Sequence, residues 1–214
     1  MSSLGSWGYE PTHDDCLQAN RDVRRLTQEY PNLVLGLAYV NPAYPQAVEE
    51  FERCVAEWGF VGLKLWVAVR CTDERVRPLL EKARELNVPV QHHAWHKITG
   101  NLPHESFPHE LARAAADHPD VRFIMAHIGG DWLRGIAAVR CQPNVSVDTS
   151  GSIIEDGMIE MAVEQLGARR VLFGSDAHGG DLAVNLAKVT GARIPARARR
   201  LVLGDNFARM ARIG

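Results

Sequence analysis

Apolar residues in this chain come in short unbroken runs, and each run is followed by a stretch with helical spacing. Leu33 to Val40 is rich in β-formers and ends at Asn41-Pro42. Behind it Ala47, Val48, Phe51, Cys54, Val55 and Trp58 recur at the interval of an amphipathic helix, which Gly59 stops. The alternation then repeats. Phe60 to Val69 predicts a strand, and Val76, Leu79, Leu80, Ala83 and Leu86 predict its helix. Val88 to His92 leads through a loop of His, Pro and Asn to a helix around Leu111 to Ala116, and Val121 to Ala126 leads to one over Leu133 to Val139. Val145 to Asp148 precedes a helix holding Met158, Ile159, Ala162, Val163 and Leu166. Arg170 to Phe173 is the last strand, with helices around Leu182 to Val189, Ala196 to Leu203 and Asn206 to Arg212.

Runs that are apolar throughout, without alternation, belong to strands buried on both faces, as in a parallel sheet covered by helices. No linker or composition shift divides the 214 residues. The chain therefore reads as one α/β domain over residues 1–214, with residues 1–20 as an N-terminal loop segment. A closed (β/α)8 barrel needs eight strand–helix units and about 250 residues. Six units predict a TIM-like barrel that is incomplete, or an open sheet.

Composition narrows the function. A net charge of -2, with 23% charged residues, gives no basic track for nucleic acid. Arg197, Arg199 and Arg200 sit in a polar helical stretch and read as a solvated face. No apolar run is long enough to span a membrane, and Met1 to Ser6 lacks a secretion-signal pattern. Cys16, Cys54, Cys71 and Cys141 form no Cys-x-x-Cys pair, which predicts free buried thiols in a reducing compartment, with the cytoplasm as the default.

Three of the strand-like runs end on residues that bind divalent metals: His92-His93, His127 and Asp176. In a parallel barrel the carboxyl ends of the strands share one face, so these side chains meet there. Imidazole and carboxylate are the ligands zinc and similar ions use. Side chains alternate along a strand, so only one of His92 and His93 can face the barrel interior; the plainer reading is that one packs under a helix and the other hydrogen-bonds locally. Gly129-Gly130 after His127 permits close backbone approach or a positive φ angle at the mouth of the site. Asp176 has a second reading, as a cap of the following helix. Lys64 ends a strand, where it contacts an anionic substrate or forms a structural salt bridge. Trp66, Trp95 and Trp132 stand just past strand ends, as pocket walls or as ordinary packing.

Taken together, these segments resemble the metal-dependent hydrolase family often called amidohydrolase 2, which includes aminocarboxymuconate-semialdehyde decarboxylase, lactonases and hydratases. The matching pieces are Asn41-Pro42, Gly59 to Leu65, Pro89 to His93, Ala126 to Gly130, Val147 to Ser150, Phe173 to Asp176 and Gly204 to Arg209. The resemblance implies a distorted (β/α)8 barrel with one divalent ion, zinc or alternatively manganese. It implies His93 and Asp176 as metal ligands, and His127 as the residue that positions or polarises the reacting group or its water. Without the opening His-x-His strand, His127 could make a third ligand, so that the metal set is His93, His127 and Asp176, with His127 and Asp176 in proton transfer. Lys64, Trp66, Trp95, Ser150 and His178 are the expected substrate contacts, with His96, His104 and His109 at the rim. The family's opening His-x-His strand has no counterpart here, and the first recognisable unit corresponds to the family's third. The leading expectation is a metal-dependent hydrolase acting on a small carboxylate-bearing metabolite. Decarboxylase or lactonase action, or a non-catalytic truncated paralogue that binds a partner, are the alternatives. Exposed barrel edges predict a homo-oligomer, or a cover made by residues 1–20.

Overall fold

The computed structural model describes residues 8–177 and 179–213. Six strands lie parallel in the order in which the chain makes them. They are β1 (Ala38–Tyr39), β2 (Leu63–Leu65), β3 (Val90–His92), β4 (Phe123–Met125), β5 (Val145–Asp148) and β6 (Val171–Leu172). Each falls inside a predicted run. The helices between them are α2 (Ala47–Ala56), α3 (Arg77–Leu86), α4 (Pro108–Asp117), α5 (Trp132–Val139) and α6 (Met158–Leu166). After β6 come α7 (Leu182–Thr190), α8 (Ala196–Arg200) and α9 (Asn206–Ala211). Parallel strands joined in sequence by helices are the architecture of a β/α barrel, here with six strands among the described residues.

One element departs from the expectation. The segment read as an N-terminal loop contains the first eight residues of α1, a helix over His13–Glu29, and His13 is its first residue. The Thr12 hydroxyl accepts from the Asp15 amide, while the Asp15 carboxylate accepts from the Thr12 amide at 2.8 Å. This reciprocal capping box satisfies two helix-end donors at once.

The strand pleat sorts the side chains. Leu63, Leu65, Val90, Phe123, Met125, Val145 and Val147 face the helices and join Phe51, Leu79, Leu111, Val139 and Ile159 in one continuous core. Burying each large side chain contributes about 1.5–3 kcal/mol. The opposite face carries Tyr39, Lys64, Gln91, Ile124 and Ser146, aligned by the register of successive strands. Asp148, two residues beyond Ser146, shares that face. The barrel interior is therefore mostly polar where its outer face is mostly apolar.

Both sheet edges are covered by the chain itself. Asn20 of α1 acts as a substitute strand at β1: its Oδ1 accepts from the Tyr39 amide at 2.8 Å, and its Nδ2 donates to the Tyr39 carbonyl at 2.9 Å. The same Nδ2 donates to the buried Glu50 carboxylate at 2.9 Å. At the other edge the Phe173 amide donates to the Val202 carbonyl, and Asn206 donates to the Val171 carbonyl at 2.7 Å. Three cysteines are buried thiols as expected, whereas Cys141 is an exposed one. No helix among the described residues is long and apolar enough to cross a membrane.

Replacing Asn20 with Ala leaves a buried amide and a buried carbonyl of Tyr39 without partners, which costs about 1–3 kcal/mol for each such group. Urea unfolding should show a destabilisation of at least ~2 kcal/mol. A change within ~0.5 kcal/mol, the size of an ordinary surface substitution, would show that water or a neighbour replaces the clasp.

Candidate functional site

At the carboxyl ends of β3, β4 and β5 the interior face opens into a cluster of ionisable groups. His93 follows β3 on the inner side, and His92 packs outward with only 1% of its surface exposed. His92 Nδ1 donates to the His93 carbonyl at 2.9 Å. Burial pushes the His92 imidazole down to about 3, so the ring is neutral. Alternation along β3 thus selects His93 for the cavity.

His127 lies beyond β4 in a turn whose backbone is left-handed over four residues, with φ of 60° at His127, 49° at Ile128, 81° at Gly129 and 77° at Gly130. Left-handed backbone is costly for His and Ile. It is stabilised here by Asp148, whose Oδ1 accepts from the His127 amide at 3.1 Å. That carboxylate also accepts from the Ser150 amide at 3.0 Å, from the Ser150 hydroxyl, and from Gln91 Nε2 at 2.8 Å. Burial alone would raise the Asp148 carboxyl, but His127 and these donors outweigh it and hold it below its ordinary value. Asp148 is a buried anion with a full set of donors.

Ser150 connects this anion to the imidazole. Its Oγ stands 2.8 Å from His127 Nδ1 and donates its single proton to Asp148. The imidazole must therefore be the donor in the Ser150–His127 bond, which leaves Nε2 of His127 as a lone pair. Burial lowers the His127 ring to about 4, so it is neutral near pH 7. The His93 and His127 ring centroids are 5.1 Å apart, and Trp95 lies against both, 5.7 Å from His93 and 4.7 Å from His127.

Lys64 reaches the same space from β2. Its side chain is 5% exposed and has no hydrogen-bond partner among the described residues. Burial depresses its basicity, opposed by the charges of Asp148 and Asp176. Asp176 stands beyond β6 with φ 52° and is exposed, but its charge still acts on Lys64, His127 and Lys188. It does not cap α7, a role that Asp181 fills.

The other expected contacts divide. Trp66 packs beside Cys16, Ala19 and Tyr39, with its ring 5.1 Å from Tyr9, so it walls the α1 side. Trp132 is half-buried and donates to Glu155 at 2.6 Å. His96 accepts from Arg134, His109 stacks on Phe107, and His104 faces Glu10 at the rim. His178 lies outside the described residues. Two participants went unassigned at the sequence level. Asp148 was visible only as part of a motif, and Glu105 sits in the loop after β3, where it bonds His93 Nε2 at 2.8 Å.

The donor chemistry fits a divalent ion. Two neutral imidazoles stand side by side, each with one ring nitrogen that has no hydrogen-bond partner among the described residues. Among the described residues, no three His, Cys, Asp or Glu side chains stand close enough to hold an ion together. His93 and His127 are the assembled part of the set.

Gly151 controls the space beside His127. A Cβ built there would stand 2.9 Å from His127 Nδ1, on a backbone with φ 94°. Gly151→Ala should cost about 1–2 kcal/mol through the backbone alone and displace the His127 ring from Ser150. Thermal unfolding and the His127 ring signals in NMR check both. An unshifted ring would show that the glycine serves only the turn.

Known proteins share the fold. 2-Keto-4-carboxy-3-hexenedioate hydratase from a Sphingobium species is 26% identical over 197 residues, covering 75% of this chain and 57% of the hydratase. The chain thus spans a little over half the length of that relative. The crystal structure of 5-carboxyvanillate decarboxylase from Sphingomonas paucimobilis matches with a TM-score of 0.79 at 18% identity, over 100% of this chain and 78% of that one. A dihydroxybenzoic acid decarboxylase from Polaromonas, solved with manganese and 2-nitroresorcinol, matches with a TM-score of 0.73 at 19% identity, over 94% and 75% of the two chains. At these identities the solved structures show a shared fold. The model of the amidohydrolase family known as Amidohydro_2 matches residues 6–213, and the chain belongs to that family.

Proposed function

We propose that this chain is a metal-assisted enzyme acting on a small carboxylate-bearing metabolite, as a decarboxylase or hydratase in preference to a hydrolase. The observation that carries the reading is the buried amine of Lys64, without a hydrogen-bond partner among the described residues, beside two neutral imidazoles. A buried cation without a partner is costly, and a substrate carboxylate is the group that offsets that cost. The names of the relatives, two carboxylate decarboxylases and a hydratase of a carboxylated hexenedioate, support the substrate class and favour lyase chemistry.

The residues divide the work. Lys64 binds the substrate carboxylate, and Trp95 provides a flat wall for a planar substrate. His127 accepts a proton at Nε2 and passes it on. The imidazolium so formed is stabilised by Asp148 through Ser150, which also fixes the ring orientation. His93 and Asp176 would hold a divalent cation, zinc or manganese, which leaves Nε2 of His127 for the proton. Such an ion polarises a bound oxygen and brings the pKa of bound water towards neutrality. In decarboxylation the carbon–carboxylate bond breaks, CO2 leaves, and the electron pair left on carbon takes the proton that His127 returns.

Turnover tests this on a panel of hydroxybenzoates and unsaturated dicarboxylates, with the chain metal-stripped and then loaded with zinc or manganese. We expect turnover only after loading, and a loss of about 10²-fold or more in kcat for both Asp176→Asn and His127→Asn, with unfolding midpoints near the parent value. Unchanged kcat in either variant would remove that residue from the chemistry. No turnover with any acid would favour the partner-binding alternative.

A further inference from the structure

Glu105 is 1% exposed, yet it lies in a loop, twelve residues beyond His93. Burying a carboxylate in a loop is expensive unless its oxygens are filled, and here they are. Oε1 accepts from His93 Nε2 at 2.8 Å and from Lys97 Nζ at 2.9 Å, and Oε2 accepts from the Leu102 amide at 3.0 Å. The two side-chain donors differ in kind. Lys97 supplies the positive charge that balances the carboxylate, so His93 is required only as a neutral donor.

An imidazole nitrogen facing a charge-balanced carboxylate must carry the proton. That fixes the proton of His93 on Nε2 and leaves Nδ1 as a lone pair. Nδ1 of His93 has no hydrogen-bond partner among the described residues. The same holds for Nε2 of His127, whose Nδ1 is tied to Ser150. The two rings, 5.1 Å apart, thus carry opposite tautomers, each set by a buried acid that reaches it directly or through a hydroxyl.

We infer that Glu105 is a positioning residue, which locks His93 in the Nε2–H tautomer and so presents the Nδ1 lone pair to the cavity beside Nε2 of His127. Its effect on metal affinity rests on the reading of His93 as a ligand; its effect on the tautomer does not. The competing role for Glu105 is a simple staple of the loop between β3 and α4, through Lys97 and the Leu102 amide.

Long-range 15N–1H NMR of the histidine rings in the metal-free chain, followed by zinc affinity measured against a competing chelator, separates the two roles. The parent should show His93 as a single Nε2–H tautomer. Glu105→Gln keeps an acceptor oxygen and should keep that tautomer. Lys97→Met removes the loop's ion pair and should also keep it. Glu105→Ala should give a mixed His93 tautomer and weaken zinc binding 10–100-fold, the usual loss when a ligand's outer partner is removed. A parent spectrum with the proton on Nδ1 would overturn the inference. So would Lys97→Met changing the tautomer as much as Glu105→Ala does, because the loop would then be the cause. If Glu105→Ala fails to fold, the parent spectrum and the other two variants still decide. A chain with the stated tautomer that binds no zinc would refute the ligand reading and leave the tautomer lock standing.

Discussion

The strict alternation of side chains along short parallel strands is the constraint from which the rest of this structure follows. A strand of three residues with a helix outside and a cavity inside has no freedom to slip, because a shift of one residue would exchange its two faces. Parity places Leu63, Val90, Phe123, Val145 and Val147 under the helices, and Lys64, Gln91, Ser146 and Asp148 inside. It also separates the adjacent histidines, sending His92 into the apolar layer and His93 into the cavity. The chemistry of the site is in this sense a product of the packing outside the sheet.

A polar barrel interior carries a cost, and the network shows how it is met. Asp148 collects four donors and Glu105 three, so both buried anions are fully solvated by the protein. These bonds also fix ring orientations, hold the left-handed turn at His127 and set which nitrogen of each imidazole is open. Lys64 is the exception. Its side chain is buried and has no hydrogen-bond acceptor among the described residues. Stability is thus concentrated in the acids, and binding capacity is left on the base.

How much of this could be read from the chain depends on the range over which each signal acts. All six strands and their helices were legible, since apolar runs and helical spacing are local. His93, His127, Lys64 and Trp95, all near strand ends, were legible for the same reason, and the structure brings them to one cavity. α1 was not, because its stretch is polar overall and is fixed by the Thr12–Asp15 capping box and by Asn20 reaching β1. Glu105 was hidden because a Glu in a His- and Pro-rich loop looks solvated until the loop folds back onto His93. Asp176 was found by position, yet it stands exposed at the rim, farther from enclosure than a strand-end carboxylate suggests.

The central claim is that the cavity recognises a carboxylate through Lys64, and a binding titration tests it without requiring turnover. NMR titration of a hydroxybenzoate into the parent chain and into Lys64→Met gives both the affinity and the location of the site. The account predicts shifts centred on His93, Trp95 and His127, and binding weakened about tenfold or more in the variant, as for loss of a hydrogen bond to a charged group worth ~1.5–3 kcal/mol. Equal affinity in the two proteins, or shifts confined to the outer surface, would contradict it.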